Sequence, residues 1–229
     1  MSMFEELDLM LPEESLDGPM QMALDETLLR QVTKPLLRIY RWAAPCVSFG
    51  YFQKLDEVRS SYSSFPLVRR WTGGGMVEHG VDLTFSLMIP RGEKSTLLPP
   101  QDFYRELHGH LSRWLSELLS PDVRVAGDRD IRVGSSCFTA PARDDLLLGE
   151  RKILGGAQRR SAGALLYQGS LQVVGVSHGA MVCPGEIHQE LARTLAPVIV
   201  PTRLLRSSEE KAGALAESRY RLKAWNERW

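Results

Sequence analysis

Residues 69–79 read RRWTGGGMVEH, the most informative stretch of the chain. Three consecutive glycines remove every Cβ from a short segment, so a ligand can reach the backbone and its N–H groups. Arg69 and Arg70, which precede them, carry planar groups that suit a phosphate or a carboxylate. No Gly-Lys-Ser/Thr sequence follows the glycines, which excludes a Walker-type phosphate loop. The stretch therefore predicts a ligand-binding turn at the end of a strand, against the alternative of a plain glycine turn with solvated arginines.

The elements around this turn are predicted from hydrophobic periodicity. Apolar residues alternate with polar ones from 83 to 89, which indicates a half-buried strand, and residues 102–119 carry apolar side chains at helical spacing. Further strands are predicted at 37–40, 46–49, 67–71, 123–125, 146–148, 152–154 and 164–174, and further helices at 19–31, 186–195 and 209–229. Because strands outnumber helices and mostly follow one another, the fold class is α+β with an antiparallel or mixed sheet.

Composition limits the possible function classes. The chain has 229 residues, with 28 Lys and Arg against 28 Asp and Glu, so its formal net charge is zero. This balance argues against a generic nucleic-acid binder, and no apolar run is long enough to cross a membrane. The acidic N-terminal residues do not resemble a signal peptide. The three cysteines, Cys46, Cys137 and Cys183, are too few for a disulfide framework, which favours reduced thiols in the cytoplasm.

Two more segments could carry chemistry. Lys152 precedes Gly155 and Gly156 in the run KILGGAQRR, where a strand lysine could polarise a carbonyl or hold a phosphate, although a solvated lysine is the simpler reading. Cys137, in SCFTAP, is a candidate nucleophile, because a lysine ammonium near a thiol favours the thiolate. Cys46 and Cys183 are interpreted as inert. His108 and His110 lie on a predicted helix without a cluster of other ligands, so no metal site is predicted.

Together these segments resemble the lipoate–protein ligase A and octanoyltransferase family, which shares its catalytic domain with the biotin–protein ligases. The resemblance rests on MALDE (22–26), LRIYRW (37–42), SFGYFQ (48–53), RRWTGGGMVEH, DLTFS (82–86) and KILGGAQR (152–159). Within these segments and the next strand, Gly156 stands where the family usually has serine, and Gln168 where it usually has histidine. Arg143-Asp144-Asp145 is similar to the ligases' Arg-Asn-Asp.

The resemblance implies one catalytic domain over residues 1–229, with mixed, mainly antiparallel sheets flanked by helices and no separate C-terminal accessory domain. It implies a tunnel for a medium-length acyl chain, with Lys152 at its carboxyl end. The substrate-binding residues implied are Arg69, Arg70, Thr72, Gly73, Gly74, Gly75, His79, Gly155, Gly156 and Ala157, and the catalytic residues are Cys137 and Lys152.

Three functions remain open at this point. The first is a transferase in which Cys137 takes an octanoyl or lipoyl group from acyl carrier protein, or from another acyl carrier. It passes the group to a lysine of a lipoyl-domain protein, such as the glycine cleavage H protein or a 2-oxoacid dehydrogenase E2, and needs no cofactor. His79 is a candidate proton acceptor, with a structural hydrogen bond as the alternative.

The second function is an ATP- and magnesium-dependent lipoate ligase, in which Lys152 contacts the acyl carboxylate and the α-phosphate, Arg69 or Arg70 contacts the phosphates, and Cys137 is not involved. The third is a non-catalytic family member that binds an acyl group or a lipoyl domain. Gly156 and Gln168 favour this third reading, whereas intact Cys137 and Lys152 count against it.

Overall fold

In the computed structural model the described residues are 2–131, 140–172 and 184–228, with the backbone alone described for 184–186. The strands are β1 Glu6–Met10, β2 Leu36–Ile39, β3 Cys46–Phe49, β4 Leu67–Arg69, β5 Val77–His79, β6 Leu83–Ile89, β7 Val123–Val125, β8 Leu146–Leu148, β9 Arg151–Ser161, β10 Ala164–Leu171 and β11 Val198–Thr202. The helices are α1 Gly18–Leu29, α2 Leu55–Ser61, α3 Pro100–Leu118, α4 Pro184–Leu195, α5 Arg206–Leu215 and α6 Lys223–Asn226.

Two sheets organise the part of the chain that the structure describes. The larger has eight strands in the order β11-β1-β2-β6-β10-β9-β8-β7, and the smaller has three in the order β4-β3-β5. In the larger sheet β1 is parallel to both β11 and β2, and the remaining pairs are antiparallel. The fold class is therefore the predicted one, mixed and mainly antiparallel sheets flanked by helices.

Helices cover both sides of the larger sheet. On α3, Phe103, Leu107 and Leu111 are fully buried in a core that also holds side chains of β1, β2, β6 and β10. Helix α1 belongs to a second core with α5 and the C-terminal segment. Asp17 caps α1 as a helix start requires, because its side chain accepts a hydrogen bond from the Met20 N–H (3.0 Å). The larger sheet is thus packed between two apolar cores.

Several elements differ from the sequence-based expectation. The single C-terminal helix predicted at 209–229 is interrupted: α5 ends at Leu215, a π-helical turn spans Ala216–Tyr220, and α6 covers only Lys223–Asn226. Strands β1, β5 and β11 and helix α2 were not predicted; β5 lies within the stretch that was interpreted as a ligand-binding turn. Strand β9 runs on through Gly155 and Gly156 to Ser161, because β10 pairs with it along residues 154–161, whereas β8 pairs only with residues 151–154. No helix of the described residues is long and apolar enough to cross a membrane.

Candidate active site

A cleft of about 500 Å³ opens where the glycine turn faces strand β9 and the start of α3. Its lining includes Gly73, Gly74 and Gly75 on one side, and Lys152, Gly156 and Ala157 on the other. These two glycine segments are about eighty positions apart in sequence, and the sheet topology brings them together. The cleft therefore unites the two motifs that the sequence identified separately.

Lys152 lies at the inner wall of this cleft as a buried ion pair. Its ammonium is 2.6 Å from Oδ2 of Asp145, and both side chains are almost fully buried. Tyr104 of α3 donates its hydroxyl to Oδ1 of Asp145 (2.6 Å), and the Ala142 N–H donates to Oδ2 (2.7 Å). Burial and the charge of Asp145 both raise the pKa of Tyr104, so this hydroxyl stays a donor. Asp145 thus fixes the ammonium of Lys152 in position.

Gly155 and Gly156 make room for the side chains around this pair. A Cβ on Gly155 would lie 2.4 Å from Cε of Lys152, and a Cβ on Gly156 would lie 2.2 Å from the hydroxyl of Tyr167. The Gly156 N–H donates to Tyr104 (2.9 Å). Tyr167 in turn contacts Nε2 of His108 (2.7 Å), a fully buried ring whose pKa burial lowers to about 3. Neutral His108 and two tyrosines therefore form the support beneath Gly156.

A second, smaller cavity of about 30 Å³, the inner cavity, adjoins the cleft, and Gly74, Gly156 and Ala157 border both spaces. Met22 and Trp42 supply apolar surface to it, and its polar lining comes from Ser48, Arg70, His79, Thr84, Gln168 and Ser170. The two spaces are therefore neighbours that share a wall of small residues.

Gln168 joins the cavity wall to a buried polar network. Its amide donates to Oδ2 of Asp25 (2.8 Å), and its carbonyl accepts from the hydroxyl of Thr72 (2.6 Å). Asp25 also pairs with Arg38 (2.8 Å), and burial raises the pKa of Asp25 and lowers that of Arg38. Thr72 therefore acts on the cavity through Gln168, and it is not among the residues that line either space.

Arg70 organises the glycine turn. One of its terminal nitrogens donates to the carbonyl oxygens of Gly73 (2.8 Å) and Gly75 (2.9 Å), and the other donates to the hydroxyl of Ser48 (2.8 Å). The guanidinium is nearly buried. Arg70 therefore belongs to the framework of the site as well as to the wall of the inner cavity.

Arg69 lies elsewhere, which corrects the expectation that it borders the cleft. Its fully buried guanidinium donates to six backbone carbonyls, those of Gly50, Tyr51, Gln53, Trp225, Asn226 and Arg228. These acceptors belong to the loop after β3 and to the C-terminal segment. Arg69 therefore ties the C-terminus to the body of the protein and lines neither space.

Of the three cysteines, Cys46 lies within the described residues. Cys46 is buried in β3, and burial, with the charges of Asp82 and Asp17, raises the pKa of its thiol to about 12. It stays protonated at neutral pH, in line with the inert role expected for it. Cys137 and Cys183 lie outside the described residues, so the expected approach of Cys137 to Lys152 stays a prediction.

The sequence had signalled some of the residues that the structure adds to the site. Asp145 stood out as part of Arg143-Asp144-Asp145 but was not assigned a role, and it is the partner of Lys152. Tyr104 and His108 carried no signal, because they are ordinary positions of an amphipathic helix. Among the described residues, no group of three or more His, Cys, Asp or Glu side chains is arranged to hold a metal ion.

Comparison with known proteins gives the family of the chain. The lipoyl protein ligase A/B catalytic domain matches residues 17–178. The octanoyltransferase LipM of Symbiobacterium thermophilum is 31% identical over 92% of this chain and 94% of its own length. That of Oceanobacillus iheyensis is 37% identical over 68% of this chain and 60% of its own length.

Solved structures of lipoate protein ligases share the fold of this chain. A lipoate-protein ligase A bound with ATP superposes with a TM-score of 0.77 at 25% identity and covers 97% of this chain and 98% of its own. A bipartite lipoate protein ligase from Thermoplasma acidophilum superposes with a TM-score of 0.73 at 23% identity, over 98% of this chain and 97% of its own. From the domain match and the relatives in sequence, the chain belongs to the lipoyl protein ligase A/B catalytic domain family.

Proposed function

We propose that the protein is an octanoyltransferase that carries an acyl group from a carrier thioester to a lysine of a lipoyl-domain protein. The observation that carries the proposal is the junction of two spaces at Gly74, Gly156 and Ala157. Lys152 lines the cleft, and the inner cavity adjoins the cleft at these three residues. Such a junction suits a ligand with a reactive head and an apolar tail. The octanoyltransferase relatives make the octanoyl group the favoured tail.

The tail would enter the inner cavity. Burying an alkyl chain is worth about 0.8 kcal/mol for each CH₂ group, so an octanoyl tail gains several kcal/mol there. The cavity's volume, about 30 Å³, is smaller than the chain, so its walls must give way on binding. Met22 is the wall residue best suited to move, because its side chain is unbranched and flexible.

The head would react at the cleft. The thiolate sulfur of Cys137 attacks the thioester carbonyl carbon, a new thioester forms on the enzyme, and the carrier leaves as its thiolate. The ε-amine of the acceptor lysine then attacks this thioester, an amide bond forms, and the Cys137 thiolate is released while the amine loses its proton. Two steps through a covalent intermediate replace one encounter of two large proteins.

Lys152 would supply positive charge for the thiolate and for the oxygen that becomes negative in each step. The Asp145 carboxylate keeps its ammonium at the cleft wall. Ala140, three residues after Cys137 in sequence, also lines this cleft, which supports a place for the thiol nearby. A free thiolate nucleophile requires a reducing compartment, so the proposal places the enzyme in the cytoplasm.

The partners follow from the same proposal. The donor is octanoyl-acyl carrier protein or another acyl carrier, and the acceptor is a lipoyl-domain protein. The acceptor class is supported by the Thermoplasma acidophilum ligase, which was studied together with its E2 lipoyl domain. No added cofactor is needed, since the donor is already a thioester.

A second candidate, an ATP-dependent lipoate ligase, is favoured by one observation. The ATP-bound ligase shares the fold over nearly the whole chain. Cationic Lys152 and Arg143 line the cleft, so they are the residues that would face phosphate groups. In that reaction ATP activates a free carboxylate, and a thiol has no part.

Intact-protein mass spectrometry separates the two candidates. The protein is mixed with octanoyl-acyl carrier protein without ATP, and the transferase should gain the mass of one octanoyl group. Cys46→Ala should acquire the same adduct, because the Cys46 thiol stays protonated, and Cys137→Ala should acquire none. The adduct's absence from the wild type, with Cys137→Ala fully active on free lipoate plus ATP, would show the ligase instead.

A further inference from the structure

A chain of hydrogen bonds leads from Asp82 to the glycine turn. Oδ2 of Asp82 is 2.9 Å from Nδ1 of His79, and Nε2 of His79 is 2.6 Å from the hydroxyl oxygen of Ser48. That oxygen accepts from Arg70 (2.8 Å), which donates in turn to the carbonyls of Gly73 and Gly75. Three elements contribute, since Ser48 lies on β3 and His79 on β5, while Arg70 follows β4.

The proton positions follow from the partners. Asp82 is an acceptor toward His79, and it also accepts hydrogen bonds from Thr84 (2.6 Å) and Ser170 (2.7 Å). Burial alone would raise its pKa, but the hydrogen bonds from His79, Ser170 and Thr84 lower it, so Asp82 stays ionised. Nδ1 of His79 therefore carries the proton, and Nε2 accepts from the hydroxyl of Ser48. Ser48 uses its only proton for His79 and receives one from Arg70.

Every member of this chain is held in place. Ser48 and the Asp82 side chain are fully buried, and His79 and Arg70 are nearly so. The indole of Trp42 stacks on the ring of His79, with the centroids 4.2 Å apart. A buried polar network in which each group has its partner is rigid, and removing one member leaves its neighbours unpaired.

From this geometry we propose that Asp82, His79 and Ser48 form a positioning relay that holds Arg70, and through it the glycine turn, at the junction of the cleft and the inner cavity. The carbonyls of Gly73 and Gly75 point at Arg70. In a trans peptide the following N–H groups, those of Gly74 and Met76, consequently point away from it. The relay thus sets which backbone groups the turn presents to a ligand, and His79 acts as a positioning residue with both ring nitrogens engaged.

A nucleophilic role for Ser48 would be the other use of a Ser–His–Asp arrangement. Two observations oppose a nucleophilic role. Arg70 donates to the hydroxyl oxygen, and the side chain is fully buried, so a carbonyl cannot reach it without displacing its partners. The relay also ends on backbone carbonyls, which are acceptors and cannot stabilise an oxyanion.

The first test needs no variant. Nitrogen-15 NMR of the wild type should show His79 as the Nδ1–H tautomer at neutral pH. A proton on Nε2 would overturn the relay, because Ser48 could then not donate to His79.

The second test uses Ser48→Ala and Asp82→Asn, the latter three hydrogen bonds away from Arg70. Ser208→Ala is the control, since Ser208 is also buried but donates to Gln31, outside the relay. In both relay variants the nitrogen-15 order parameters of the backbone amides of residues 73–76 should fall below the wild-type values, toward the roughly 0.6 that marks a flexible backbone, and in the control they should match the wild type. Wild-type order parameters in a folded relay variant would overturn the proposal.

The kinetic readout rests on the proposed function. The KM for octanoyl-acyl carrier protein should rise about tenfold in the relay variants while kcat changes little, because a loosened turn weakens acyl binding and leaves the reacting groups in place. Lower order parameters of residues 73–76 without a KM change would leave the relay standing and remove the proposed acyl site. An octanoyl adduct that survives in Cys137→Ala but disappears in Ser48→Ala would show a serine nucleophile and overturn the relay.

Discussion

The hydroxyl group of Tyr167 fills the space that a side chain at position 156 would need. A Cβ on Gly156 would lie 2.2 Å from that oxygen and 2.3 Å from the ring carbon that bears it. The oxygen cannot withdraw, because it is bonded to His108 and the ring is fully buried. The glycine that replaces the family's usual serine is thus matched to a tyrosine on the neighbouring strand, and this pairing accounts for the departure without loss of the site.

Gly156→Ala should therefore destabilise the protein by about 1–3 kcal/mol, the usual cost of overpacking a core. Urea unfolding followed by circular dichroism measures the change. Gly109→Ala is the control, since no atom lies within 4 Å of the added methyl group and alanine favours a helix, so it should be stabilising by about 0.5–1 kcal/mol. A Gly156→Ala protein as stable as the wild type would show that the Tyr167 side chain can adopt another conformation.

The buried pair of Lys152 and Asp145 should be costly to break and easy to replace. Asp145→Asn leaves the ammonium without its counter-charge and should lower the free energy of unfolding by about 3–5 kcal/mol. Asp145→Asn combined with Lys152→Met removes both charges and should recover much of that loss while abolishing acyl transfer. Asp130→Asn is the control, because its partner Arg124 is half exposed and such a pair is worth less than about 1 kcal/mol. If the losses of unfolding free energy in Asp145→Asn and in Lys152→Met, measured singly, add up to that of the double variant, the two side chains do not stabilise each other.

Acid should destabilise the protein partly through His108. The pKa of His108 is about 3 in the folded state and near 6.5 when unfolded, so below pH 6.5 the unfolded chain binds a proton that the folded one does not. Stability therefore falls as the pH drops from 6.5 toward 3, by on the order of 3 kcal/mol at pH 4.

His108→Gln should flatten this part of the pH profile, since its side-chain oxygen can still accept from Tyr167 and it does not titrate. Urea unfolding at pH 4.5, 5.5 and 7 measures the slope for both proteins. A slope unchanged by the substitution would show that His108 is protonated in the folded protein as readily as in the unfolded one.

Arg69→Lys should damage stability rather than substrate binding. A single ammonium cannot reach acceptors on both the loop after β3 and the C-terminal segment, so several carbonyls lose their donor at about 1 kcal/mol each. The melting temperature should fall, and limited proteolysis should cut first near residues 221–228. The KM for the acyl donor, measured well below the melting temperature, should match the wild type. An increase in KM at that temperature would show that Arg69 contributes to substrate binding.

The amino-acid pattern alone was enough to predict the fold class, most of the long elements, and the two glycine motifs that meet at the cleft. Periodicity was enough for α3, because this helix buries one face against a large core and its apolar spacing reflects that face. It also located β6, although this strand is buried on both faces and not half-buried as predicted, since helices cover both sides of the sheet. The glycine runs and Lys152 were found because they break the ordinary pattern of a strand. Strands β5 and β11 were missed, since β5 closely follows the glycine run and β11 contains Pro201.

Which of two adjacent arginines serves the site depends on the tertiary structure. Arg69 and Arg70 are neighbours of one type, and their side chains leave the backbone in opposite directions at the end of β4. One meets the C-terminal segment, about 155 residues away in sequence, and the other meets the glycine turn and Ser48. Asp145 with Lys152, and Tyr167 with Gly156, are close in sequence, but their contacts depend on which residues of neighbouring strands face each other. Neither the distant contact of Arg69 nor this strand register can be read from the local pattern of the chain, because both are set by how the strands and the C-terminal segment pack.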